Sequence, residues 1–112
     1  MATGSITYDN LGDKMFDAAK TSFGSKFAFV KAFLKVESEK LAITLRMIVE
    51  ASATGEISRT EAKILVNMQK VAASAVLTAA EGMTAVAVQA ALDAALNVAK
   101  DFVNGKIGFA LL

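Results

Sequence analysis

Carboxylates, ammonium and guanidinium groups, hydroxyls and amides are the only polar chemistry this chain of 112 residues carries, because histidine, cysteine and tryptophan are absent. That removes thiolate and imidazole metal sites, disulfide staples, and catalysis by a histidine base or a cysteine nucleophile. The best-spaced acidic set is Asp9, Asp13 and Asp17, at i, i+4 and i+8 on one helical face. Three oxygens at that spacing could meet a hard cation, yet a calcium loop wraps more ligands on a turning backbone. The plainer reading is a solvated acidic face near a helix N-terminus, where the dipole favours it. Glu37 and Glu39 stand two apart, which points them to different sides of a helix and separates them as an acid–base pair. Gly4, Gly12 and Gly24 are isolated, and none follows a strand to cradle phosphate. No catalytic, cofactor-binding or metal-ligating residue is expected, and no small-molecule substrate. The chain reads as non-enzymatic.

The segment from Phe23 to Lys35 interleaves aromatic and basic residues. Lys26, Phe27, Lys31, Phe33 and Lys35 could lie on a membrane surface, rings in the acyl boundary and ammonium groups at the headgroups. The rings could stack single-stranded bases. Or they belong to a core whose edge the lysines solvate. Twelve basic residues against eleven acidic ones give net charge +1. That balance supplies no field for a polyanion, so no nucleic-acid partner is expected.

These residues must be held by helices. Proline is absent, so a helix runs until a glycine or a cap stops it. Strand alternation never lasts. A composition 54% hydrophobic and 21% charged is too apolar for disorder, and the length fits one domain. The expected fold is therefore a single all-α domain over 1–112: three or four helices, with a long antiparallel helical hairpin around Gly55 and a short N-terminal helix. The boundaries read as a polar arm at 1–8, a short helix at 10–23 and a central helix at 25–54. A long helix follows at 58–104, and then an apolar tail at 106–112.

The central helix carries one apolar stripe of Phe27, Val30, Leu34, Leu41, Leu45 and Ile48. A second stripe of Phe29, Phe33, Val36 and Met47 is turned about 100° away. A helix apolar on two sides needs neighbours on two sides. Gly55 can take the left-handed position after Thr54. Ser58 and Glu61 form a capping box, with Ile57 at the staple position before it.

From Ser58 onward polar residues fall in one stripe: Lys63, Asn67, Lys70, Ser74, Thr78 and Glu81, then Gln89, Asp93, Asn97, Lys100 and Asn104. The three-or-four spacing does not slip at Gly82, with Ala85 filling one step. A helix unbroken from 58 to 104 would be about 70 Å long, too long for a domain with a radius of gyration near 13 Å to cover. Either the chain folds back at Gly82, or the rod belongs to an assembly.

The run from Val71 to Ala99 is poor in charge, but Glu81 and Asp93 interrupt it. A central carboxylate costs about 2.5–3.5 kcal/mol of insertion free energy while each Leu or Val returns about 0.3–0.6. Neither a conventional transmembrane span nor a signal peptide is expected, and the compartment stays open.

Three functions fit. The first is a structural subunit that self-associates through apolar helical faces into an oligomer or filament. Its contacts would be Phe27, Phe29 and Phe33, the seam of Val88, Leu92, Leu96 and Val103, and the tail residues Ile107, Phe109, Leu111 and Leu112. The second is a membrane-active helical oligomer whose pore is lined by Gln89, Asp93, Asn97 and Lys100, the same residues otherwise facing solvent. The third is a small helical interaction module of the inhibitor, immunity or chaperone-like kind. No cofactor enters any of them.

Overall fold

The computed structural model describes residues 5–112, so the first four residues of the expected polar arm lie outside the described part. Four helices follow in order: α1 (Tyr8–Phe23), α2 (Phe27–Ala53), α3 (Arg59–Thr78) and α4 (Ala85–Ile107), with a 3-10 turn at Gly24–Lys26 between the first two. No strand forms among the described residues. The fold is all-α, with a helical hairpin at Gly55.

Each boundary has a local cause. Helix α1 begins two residues before the expected Asn10 because Thr7 and Asn10 cap each other. The Thr7 amide donates to Asn10 Oδ1 at 2.8 Å, and the Asn10 amide donates to Thr7 Oγ1 at 3.3 Å. At the hairpin, Gly55 adopts φ +78°, the left-handed region an L side chain resists. The Ser58–Glu61 box closes with bonds of 2.8 and 3.1 Å. The long helix is broken: α3 ends at Thr78, Gly82 turns the chain at φ +82°, and Thr84 restarts it by accepting from the Ala87 amide at 3.2 Å. The rod over 58–104 is thereby excluded. The last helix runs past its expected end at 104, through Gly105, and stops at Gly108, which takes the left-handed position.

Consecutive helices alternate in direction. Tyr8 at the start of α1 meets Phe102 near the end of α4, ring centroids 5.1 Å apart, while Arg46 near the end of α2 covers the Tyr8 ring at 5.0 Å. At the other end of α2, Phe29 lies beside Gly82, the turn between α3 and α4. The four helices form a ring in which α2 and α4 touch across the diagonal while α1 and α3 do not meet. That closure of one diagonal flattens the bundle to 42 × 36 × 18 Å, with a radius of gyration of 13.9 Å. The core joins Leu11, Met15 and Phe23 of α1 to Val30, Leu34 and Leu45 of α2, Leu77 of α3, and Val88, Leu92 and Val103 of α4. Ala91, Ala95 and Ala99 lie buried beside that seam, and small side chains allow a close helix approach.

Candidate functional site

Two surfaces stand out: a bare apolar face on α2 and α3, and a polar groove between α3 and α4. The first arises because α2 turns only one of its two apolar stripes into the core. Val30, Leu34, Leu41, Leu45 and Ile48 are buried, whereas Phe29, Phe33, Val36, Ile43 and Met47 are each 52–62% exposed. On α3, Ile64, Leu65, Met68, Val71 and Val76 are also uncovered. The two sets meet at a cleft of about 310 Å³ where Met47 and Ile48 face Leu65 and Met68. Within the α2 stripe the charged residue is Lys40, tied to the buried Glu37 carboxylate at 3.4 Å. The outer rim of α2 pairs Lys35 with Glu39 and Arg46 with Glu50, both at 3.6 Å, so both signs alternate along it.

The groove between α3 and α4 is what the fold-back at Gly82 makes of the polar stripe. Lys63, Asn67 and Lys70 repeat at i, i+4 and i+7, and Asp93, Asn97 and Lys100 repeat the same spacing on a helix running the other way. All six line one cleft of about 330 Å³. Lys70 and Asp93 close the rung nearest the Gly82 turn at 2.7 Å, and Gln89 donates to the same carboxylate oxygen at 3.3 Å. Val66, Leu96, Leu111 and Leu112 supply its apolar lining.

Several residues expected to bridge copies are instead used within one chain. Val88, Leu92 and Val103 are at most 1% exposed, because α1 covers the seam of α4. Leu96 is partly buried against the same core. The tail docks onto its own chain. The Leu111 and Leu112 amides donate to Asn104 Oδ1 at 2.9 and 3.0 Å, Leu111 is buried, and Phe109 lies under the Arg59 guanidinium at 4.9 Å. Ile107 and Leu112 pack beside it.

The aromatic–basic segment splits as well. Phe27 packs edge-on against Phe16 at 5.6 Å beneath the Lys20 ammonium, which withdraws it from any membrane surface. Lys35 leans over Phe16 and pairs with Glu39. Lys26 is half-buried and Lys31 is exposed, and of the phenylalanines Phe29 and Phe33 stay uncovered. Asp9, Asp13 and Asp17 remain an exposed row along α1. Glu37 is buried and Glu39 exposed, the divergence their spacing requires.

Among the described residues, no helix is long and apolar enough to cross a membrane. The sequence carries a signal for the α3 half of the bare face in Ile64, Met68 and Val71, spaced by four and three, but the adjoining polar stripe masks it. Comparison of the chain with family models, with curated proteins and with solved structures yields no match.

Proposed function

We propose that this chain is a non-enzymatic helical subunit that binds a second copy of itself through the bare face of α2 and α3. The observation carrying this reading is the extent of that face. Ten large apolar side chains, half to two-thirds exposed in most cases, present on the order of 1,000 Å². Monomers rarely show more than a few hundred, and a standard interface takes about 800 Å² from each partner. Balanced charge on the α2 rim favours a protein partner over an anionic bilayer, which wants a cationic fringe. A single face used by both copies closes as a two-fold dimer. A filament would need a second, different surface, and the α4 seam and the tail are already covered.

The test is light scattering of the full chain across a wide concentration range, beside a Met47→Asp, Met68→Asp variant. Both methionines are exposed, so the variant keeps its helices. The expected result is a concentration-dependent dimer that the variant abolishes. A monodisperse species of 11.7 kDa at every concentration overturns the proposal. So does sedimentation with vesicles of an otherwise monomeric protein.

A second reading has its own observation. The fold-back at Gly82 makes a compact unit, and the cleft of Met47, Leu65 and Met68 has the adaptable methionine lining that accepts an amphipathic helix from another protein. The same double variant separates the two, since a foreign-helix site leaves the wild type monomeric alone.

A further inference from the structure

We infer that the α3–α4 groove binds the anionic group of a small organic acid, a carboxylate or phosphate carried on an apolar body, between Lys63 and Lys100. The inference is independent of the dimer, because this groove lies between α3 and α4, whereas the cleft of the bare face lies between α2 and α3.

It rests on the rung pattern of the groove. The antiparallel register fixed by the Lys70–Asp93 contact, continued along the identical spacing, places Asn67 opposite Asn97 and Lys63 opposite Lys100 in one cleft. The first rung is neutralised at 2.7 Å. The second offers two exposed carboxamides, neither of which, among the described residues, has a hydrogen-bond partner. The third sets two ammonium groups on facing walls, and among the described residues neither has a carboxylate within 4 Å. Both lysines are exposed, so water screens their mutual repulsion, and an anion between them would gain two charge-assisted contacts. The Asp93 carboxylate also lines the cleft, but Lys70 and Gln89 already hold it.

The walls around the third rung are apolar. Val66 and Leu96 form the floor, and Leu111 with Leu112 forms the end, held there by Asn104. A volume of about 330 Å³ stands at the small end of ligand sites. Apolar walls beside two exposed ammonium groups suit a compact amphiphilic anion better than a bare inorganic one. Sequence spacing alone hid this, because Lys63 and Lys100 become neighbours only when the chain turns at Gly82.

Nuclear magnetic resonance titration of the full chain tests it, with phenyl phosphate, benzoate, inorganic phosphate and neutral benzyl alcohol as probes. Saturable shifts at Lys63, Asn67, Asn97 and Lys100 are expected with the two amphiphilic anions. Inorganic phosphate should bind more weakly and the alcohol not at all. The Lys63→Gln, Lys100→Gln variant should lose about tenfold or more in affinity. A charge-matched Lys14→Gln, Lys31→Gln variant should bind as the wild type does. Equal losses in both variants, shifts spread over every lysine, or no saturation overturn the inference. Benzoate and phenyl phosphate in separate arms decide which oxyanion the site prefers.

Discussion

Helices α1 and α4 bury or half-bury all their large apolar side chains but Val86, whereas α2 and α3 leave half of theirs in water. Along α1, Leu11, Met15, Ala19 and Phe23 recur every four residues and all are buried. Facing them, α4 presents Val88, Leu92, Ala95, Ala99 and Val103, also buried, with Val86 at its N-terminus as its exposed exception. The hairpin of α2 and α3 has the same kind of residues in a wider arc, and one bundle can cover only part of it. An apolar stripe therefore does not announce a core. Its width relative to the neighbours available decides, and the excess on α2–α3 stays exposed.

The widest separation between the two regions should be in stability. Leu92→Ala removes a side chain that is 1% exposed and leaves a cavity in the seam, costing about 2–5 kcal/mol. Met68→Ala removes one that is 58% exposed and should change the monomer by no more than about 0.5 kcal/mol. Urea unfolding at a concentration below self-association measures both. Equal costs would mean that the bare face is covered within the monomer and would break the comparison.

The glycines sharpen it at the next level, with opposite signs. Gly82 sits at φ +82°, so Gly82→Ala places a side chain in the left-handed region at a cost of about 1–2 kcal/mol. Its new methyl would touch the Phe29 ring at an ordinary 3.4 Å, so backbone strain and not crowding sets the sign. Gly105 is helical, and nothing lies within 4 Å of an added Cβ. Gly105→Ala should therefore stabilise by about 0.5–1 kcal/mol. Thermal melts of the two variants should move in opposite directions. A stabilised Gly82→Ala would restore the unbroken helix.

The same two glycines mark where sequence reasoning stopped. Gly55 was legible because it stands between Thr54 and a complete Ser58–Glu61 box, all within eight residues. Gly82 was not, because the polar spacing runs across it without a slip. Unbroken phase is what one long helix requires, but two antiparallel helices that turn their polar sides toward a shared groove satisfy it equally. The deciding cue was Thr84, an N-cap type directly before a run of helix formers, and that signal is weaker than a full box. Gly105 separates the expected helix at 58–104 from the tail at 106–112, yet it is helical and falls three residues before the left-handed turn at Gly108. The second stripe of α2 was legible as an unmet need for a neighbour. Which neighbour met the first stripe was not, since the α1–α4 pairing that claims Val88 and Leu92 joins the two ends of the chain.

The smallest expected effect lies where those ends meet. Tyr8 packs edge-on to Phe102 under the Arg46 guanidinium. Partial burial raises its phenol above the ordinary 10.0, the Glu50 carboxylate raises it further, and Arg46 opposes both. Below pH 10 the phenol is protonated in both folded and unfolded chains, so it contributes no pH dependence there. As pH climbs through 10.0 the unfolded chain releases its proton first, which favours unfolding until the folded phenol ionises too. Stability attributable to Tyr8 is thus fully present below the unfolded value and is lost as pH rises through the folded one. Tyr8→Phe keeps the ring against Phe102 and removes the titration. The variant should match the parent at neutral pH and lose less stability above pH 10, by a margin that solvent screening keeps small. Because the chain has one tyrosine, its phenolate absorbance reads the site directly. The midpoint should lie above 10.0 in the folded protein and fall to about 10 in urea. Coincident midpoints would mean that the contact between α1 and the end of α4 leaves Tyr8 as open to water as the bare face of α2.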